Sequence, residues 1–270
     1  RLRERYAYWT FTYDSGNPIA YSGMQLRQAL TEAVDRADPT GHDPCVRDMV
    51  VLGHSQGGLL TKLTAIDSEN RFWANISDQD FEKLDFGKKQ KDMLREALFL
   101  KPLPFVTEVM FLATPHRGSY LAGPQIVRRI AERFVRIPTD LLRVGADLVT
   151  VLPQAGPRVA ASRIPTSIDN MSPGNAYIRV LSAIPVTPRV KAHSIIAVGD
   201  GRAPLASATD GVVRYESAHI DGVESEILVR SPHSGMQSSP QTIEEVRRIL
   251  LAHSAASSCP VPGLDRDDVK

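Results

Sequence analysis

Cysteine is scarce: the 270 residues contain two, Cys45 and Cys259. Two thiols cannot build a disulfide framework or a cysteine-only zinc site, and they leave the redox compartment open. An excess of either charge is also missing. Lys and Arg number 32 and Asp and Glu 31, a formal net charge of +1. A nucleic-acid binder usually carries a basic stripe, so this balance excludes that class and gives no clue to a substrate's charge. Long apolar runs are absent as well. Met110-Phe111-Leu112-Ala113 is among the longest, far short of the roughly 20 residues that cross a bilayer. There is no internal repeat and no low-complexity tract. The chain opens at Arg1 with neither a Met nor a signal-like stretch, which leads us to expect a segment upstream. No compartment follows from this; export, envelope association and a cytoplasmic place all fit.

What is present is ordinary for a globule, with 42% hydrophobic and 23% charged residues, enough to bury a large core without staples. Length alone suggests about two domains, or one α/β domain of about 250 residues. Along the chain, strand-like and helix-like stretches alternate. Tyr6 to Tyr13 is rich in aromatics and threonine, a strand composition, closed by the turn residues Asp14-Ser15-Gly16-Asn17-Pro18. Met24, Leu26, Leu30 and Val34 recur at helical spacing until Asp38-Pro39-Thr40-Gly41. Short apolar runs at Asp48–Gly53, Val106–Thr114 and His193–Val198 suit buried parallel strands, and Ser225–Arg230 reads as a last one. A helix is expected from Gly57 to Ile66. Ser239-Pro240 opens a closing helix carrying Ile243, Val246, Ile249 and Leu250. This alternation predicts an α/β fold with a mostly parallel sheet and helices on both faces. Two stretches break the rhythm. Residues 71–104 are charged and include Lys88-Lys89-Gln90-Lys91, read as a solvated helix face. Residues 119–190 hold many prolines and an amphipathic stretch with Ile126, Val127, Ile130, Phe134 and Val135 on one side. That apolar side suits packing onto the body, a lid over an apolar pocket, or both.

Gly53-His54-Ser55-Gln56-Gly57-Gly58 is the strongest signal. It fits a nucleophile elbow, a serine on a strained turn between strand and helix. The glycines two before and two after Ser55 are expected to let backbone approach without a Cβ clash. A bare G-x-S-x-G arises often by chance. Here the flanks agree: Met49-Val50-Val51-Leu52 precedes it and Leu59-Leu60-Thr61-Lys62-Leu63 follows. Serine is a poor nucleophile alone and needs a base held by an acid, in the chain order serine, acid, histidine. Five histidines follow Ser55. His193 opens a strand at the end away from the site. His253 ends the last helix, where a cation suits the dipole. His116 follows a strand but precedes any suitable acid. His219 is a weaker candidate. His233 follows the last strand and precedes the closing helix, where a base is expected. Two acids compete, Asp200 directly after a strand and Asp210 in Thr209-Asp210-Gly211-Val212-Val213.

These segments, with Phe-Leu-Ala-Thr-Pro-His-Arg-Gly-Ser at 111–119, resemble the lipase/esterase branch of the α/β-hydrolases. The resemblance is greatest to bacterial esterases related to the GPI inositol-deacylase group and to the Pseudomonas and Burkholderia lipases. In those lipases an Asn-Asp-Gly-Leu-Val segment supplies the catalytic acid, and a histidine a little over twenty residues later supplies the base. The resemblance therefore favours Asp210 over Asp200 and pairs it with His233. It implies an α/β-hydrolase core over residues 1–118 and 191–270 with a lid or cap at 119–190. It also implies an oxyanion hole built from the backbone N–H of Gln56 and a second donor from an early strand, expected upstream of Arg1. Those lipases bind calcium near the histidine loop. Here Ser234-Gly235-Met236 follows His233, and Asp221 and Glu224 read as solvated acids, so no metal and no cofactor are expected.

The chain thus reads as a serine carboxylic-ester hydrolase for apolar acyl esters, with small-molecule, lipid or polymeric ester substrates. An imidazole base implies activity falling as pH drops through the ordinary histidine range, near about 6.5. Two rivals stay open: an acyltransferase or amidase using the same triad, and a non-catalytic hydrolase-like binding module. Oligomeric state has no signature in the sequence.

Overall fold

A computed structural model describes residues 2–119, 171–172, 174–199 and 204–259. The elements in chain order are α1 (Leu2–Arg5), α2 (Ile19–Ala37), β1 (Met49–His54), α3 (Gln56–Leu63), α4 (Arg71–Ala74), α5 (Lys88–Leu98), β2 (Val106–Leu112), α6 (Ala176–Ala183), β3 (Lys191–Val198), α7 (Tyr215–Ala218), β4 (Ser225–Arg230) and α8 (Pro240–Ala256). The four strands form one parallel sheet in the order β1-β2-β3-β4. Register aligns the strand ends that matter: His54 lies beside Leu112, Leu112 beside Ile195, and Val198 beside Arg230.

The period-2 alternation of a strand divides β2 between two layers. Val109 and Phe111 pack in a cluster with Val34, Ala65 and Phe105 on one side. Met110 and Leu112 join Ile195, Val229, Met236 and Ile249 on the other, under α8. All five central-to-late residues of β2 are buried, as expected for a strand covered on both faces. A third cluster joins α2 to α6: Leu26, Leu59, Leu63, Phe72, Leu94 and Ile178 are all buried in it. The basic run 88–91 opens α5, whose inner side buries Leu94 and Leu98. Residues 120–170 and 173, the bulk of the expected cap, lie outside the described residues, as does Asp200.

One expected strand is different. Tyr6 to Tyr13 carries no strand pairing. The Tyr6 hydroxyl donates to the Leu250 carbonyl at 2.7 Å, and Phe11 and Tyr13 stack on each other and pack against the α2–α3 cluster. Strand composition reflects fit to a half-buried surface rather than a backbone preference; here Tyr6, Phe11 and Tyr13 are half-buried without a ladder, and Tyr8 and Trp9 are exposed. The two cysteines are joined: Cys45 and Cys259 form a disulfide across 214 positions, with Cα atoms 5.1 Å apart. It ties the loop before β1 to the chain just after α8. Disulfides persist in oxidising compartments.

Candidate active site

β1 ends at His54, and α3 starts at Gln56. Ser55 makes the whole reversal in one residue, at φ 55° and ψ −127°. A side chain at positive φ costs about 1–3 kcal/mol and persists only where surroundings over-determine it. Two glycines do so. A Cβ at Gly53 would lie 2.3 Å from the Gly57 carbonyl oxygen and 2.5 Å from the Gly58 nitrogen; one at Gly58 would lie 1.8 Å from Thr114 Oγ1. The sequence expectation is corrected for Gly57, where an added Cβ meets nothing within 4 Å among the described residues. Gly58, not Gly57, is the second glycine that close packing requires.

The elbow puts Ser55 Oγ 2.9 Å from His233 Nε2. His233 Nδ1 donates to Asp210 Oδ2 at 2.7 Å. The remaining oxygen, Asp210 Oδ1, accepts the backbone N–H groups of Val212 at 2.9 Å and Val213 at 2.7 Å, so both carboxylate oxygens are occupied. The Asp210 side chain is fully buried and that of His233 is 9% exposed. Two backbone contacts fix this loop pair: Gly199 N–H donates to Thr209 O at 2.8 Å, and His233 N–H donates to Asp210 O at 3.0 Å. Thr209 is thus tied to the end of β3, and Asp210 to the histidine that follows β4. Gly211, at φ +93°, makes the turn after the acid, a conformation glycine adopts without strain.

Gln56 is the first residue of α3, where a backbone N–H has no intrahelical acceptor and carries the positive end of the dipole. Its side-chain amide donates to Ser15 O at 3.4 Å.

The other histidines are placed elsewhere. His193 lies at the start of β3, with Nδ1 2.7 Å from Ser225 Oγ and Nε2 2.7 Å from Glu108 Oε1, the latter at an angle that makes no hydrogen bond. His253 at the end of α8 contacts Asp48 at 3.0 Å and Tyr6 at 2.8 Å. His219 pairs with Glu226 at 2.7 Å. His116 is fully buried edge-on against Phe111, with no hydrogen-bond partner for either ring nitrogen among the described residues. Burial first, then the Lys62 and Arg117 charges, holds it neutral well below the ordinary range.

Two residues escaped the sequence reading. His54, next to Ser55, donates from Nε2 to His233 O at 3.1 Å, with ring centroids 5.0 Å apart. Burial, then the neighbouring His233, lowers its affinity for a proton. Its place in the motif was a signal, but no spacing rule says where a strand's last side chain turns. Lys62 is the other. It is 2% exposed, and Nζ donates to Leu181 O at 2.8 Å, against the carbonyl end of α6 where a cation suits the dipole. Burial, then Arg117, pulls its ammonium down to about 7.

The sign of the Lys62 effect follows. An unfolded lysine keeps its proton to about 10.4, so between pH 7 and that value the unfolded chain binds one more proton than the folded one. Stability therefore rises with pH across the window, and below pH 7 the fold holds a buried ammonium. Lys62→Met is expected to exceed the parent in stability at pH 6 and to lose most of that advantage, not all of it, by pH 9. Urea unfolding at both values checks this; an offset that does not change with pH would contradict it.

No family model matches the chain, and no curated protein sequence does. Among solved structures, the chain is similar to the mature form of the Bacillus licheniformis lipase BlEst2, at 13% identity and a TM-score of 0.45, over 87% of this chain and 75% of that one. No helix among the described residues is long and apolar enough to cross a membrane. Among those residues no group of three or more His, Cys, Asp or Glu is placed to hold a metal ion.

Proposed function

We propose that the chain is an α/β-hydrolase acting as a serine carboxylic-ester hydrolase, with Ser55 as nucleophile, His233 as base and Asp210 as the orienting acid. The observation that carries this reading is the unbroken hydrogen-bond chain from Ser55 Oγ through His233 to a buried Asp210. Its starting point is a residue held at positive φ between a parallel strand and a helix. A structural turn alone needs no such chain.

In this mechanism His233 Nε2 takes the Ser55 proton as Oγ attacks the ester carbonyl carbon. Asp210 holds Nδ1–H and stabilises the imidazolium. The backbone N–H of Gln56, at the positive end of α3, meets the oxyanion. Collapse breaks the carbon–oxygen bond to the alcohol, which leaves with the proton from His233. A water molecule then gives its proton to His233 and its oxygen to the acyl carbon. Oγ leaves, recovers the proton, and the acid departs. The apolar acyl preference rests on the amphipathic stretch from Ile126 to Val135 in the sequence.

Release of p-nitrophenol from a series of p-nitrophenyl esters of rising acyl length tests the reading. Turnover is expected on at least one, and Asp210→Asn is expected to cut kcat by about 10⁴-fold, the scale known for loss of the orienting carboxylate in a serine triad. Equal kcat in the parent and Asp210→Asn would remove Asp210 from the mechanism.

A further inference from the structure

Thr114-Pro115-His116-Arg117-Gly118-Ser119 follows β2 and has no part in the mechanism above. The structure fastens this segment to the one that carries the acid. Arg117 N–H donates to Ser217 O at 3.2 Å, and its guanidinium Nη1 donates to Glu216 O at 2.6 Å and to His219 O. These carbonyls lie at the C-terminal end of α7, where a helix leaves its last acceptors without N–H partners and a cation suits them. Ser217 Oγ donates to Gly118 O in return. Gly118, at φ +84°, turns the chain, and Ser119 N–H donates to Met171 O at 2.8 Å. Ser119 is 6% exposed, and its hydroxyl donates to Val212 O.

Val212 C=O and Val213 N–H belong to one peptide group, planar and trans like every peptide bond among the described residues. Its two polar ends therefore point in opposite directions. The inner end, Val213 N–H, donates to Asp210 Oδ1 at 2.7 Å. The outer end accepts the Ser119 hydroxyl. A rigid plane held at one end cannot rotate freely at the other, so the hydroxyl fixes the direction from which the carboxylate is gripped. Hydrogen bonds in series also polarise one another: a donor on the Val212 oxygen makes the Val213 N–H a stronger donor to Asp210. One row of bonds thus runs from Ser119 through the 212–213 peptide, Asp210 and His233 to Ser55.

We propose that Ser119 is a positioning residue for the catalytic acid, acting on Asp210 through the Val212–Val213 peptide. This role rests on the ester-hydrolase reading of Ser55 and adds a fourth side chain to it. Ser119 does not touch the reacting atoms. It keeps Asp210 Oδ2 in line with His233 Nδ1–H while the imidazolium forms and discharges. Asp210 Oδ1 also accepts Val212 N–H at 2.9 Å, so loss of the hydroxyl loosens the carboxylate without freeing it.

Two measurements on the full chain test it. The first is the low-field proton NMR resonance of His233 Nδ1–H, which reports the bond to Asp210 without any substrate. It is expected in the parent, lost in Asp210→Ala, and shifted upfield or broadened in Ser119→Ala, whose circular dichroism is expected to match the parent. The second is a double-mutant cycle on kcat for a p-nitrophenyl ester. Ser119→Ala alone is expected to lower kcat about tenfold, the scale of one hydrogen bond to a charged group, with KM unchanged within about twofold. In the Asp210→Ala background the same change is expected to alter kcat by less than about twofold, since the carboxylate it positions is gone. A resonance unchanged in Ser119→Ala, or an equal proportional loss of kcat with and without the Asp210 carboxylate, would overturn the role while leaving the nucleophile intact. A resonance that moves as expected in a protein that turns over no ester would support the positioning and overturn the hydrolase reading.

Discussion

Ser55→Ala and His233→Ala are each expected to lower kcat on a p-nitrophenyl ester by about 10⁶-fold, and the double variant to fall no further. The reason is that the two groups act as one device. Ser55 Oγ is a useful nucleophile only while its proton can pass to His233 Nε2, 2.9 Å away. His233 is a base with nothing to deprotonate once Oγ is gone. Removing either atom removes the same step, so the second loss adds nothing. The residual rate comes from binding and from the Gln56 amide. Circular dichroism is expected to match the parent for both single variants, since neither side chain is part of the apolar clusters. Losses that multiply in the double variant would mean that Ser55 and His233 serve separate steps.

The second large effect falls on stability. Gly53→Ala is expected to yield little or no folded protein, while Gly57→Ala four positions on is expected to fold normally. An alanine Cβ at 53 meets three atoms of the Gly57–Gly58 peptide, at 2.3 Å, 2.4 Å and 2.5 Å, and backbone cannot rotate away as a side chain does. Overpacking against movable side chains already costs about 1–3 kcal/mol; against the first turn of α3 the cost is larger. Yielding would require the strand to part from the helix that carries the nucleophile. Position 57 is open among the described residues and lies inside α3, where alanine is favoured over glycine by about 1 kcal/mol. Soluble yield and thermal midpoint decide the matter. Similar stability for both variants would mean that the elbow is far less tightly packed than its geometry indicates.

The contrast between these glycines shows what the sequence could and could not convey. Strand positions were legible because buried parallel strands write themselves as short apolar runs: the structure has β1, β2, β3 and β4 within two residues of where Met49-Val50-Val51-Leu52 and its counterparts predicted them. The elbow was legible because glycine, serine and flanking periodicity must coincide there. Which later glycine is closely packed was not, since that depends on the side chain of Thr114, far away in sequence, filling the space beside Gly58. Tyr6 to Tyr13 misled for a related reason. Tyr6, Phe11 and Tyr13 find partial burial against Leu250 and the α2–α3 cluster without strand pairing, while Tyr8 and Trp9 stay exposed. Nothing in the run Leu59-Leu60-Thr61-Lys62-Leu63 marks Lys62 as a buried cation. Only the arrival of Leu181 and Ser182 from α6 turns its ammonium inward. The acid was the closest decision. Two aspartates fit the chain order, and position directly after the strand favours Asp200, whereas the resemblance favours Asp210. The structure brings Asp210 to His233 because the loop after Gly199 is tied back at Thr209 O, a tie no local pattern records. The Cys45–Cys259 bond was equally invisible, since two cysteines 214 positions apart carry no spacing signature.

Labelling with a fluorophosphonate, followed by peptide mass mapping, tests the central claim most directly. An organophosphorus centre reacts at useful rates only with a serine whose proton is taken by a neighbouring base. A single adduct is expected, on the peptide containing Ser55, absent in Ser55→Ala and strongly slowed in His233→Ala. No adduct on the folded parent, or an adduct that persists in Ser55→Ala, would contradict the account.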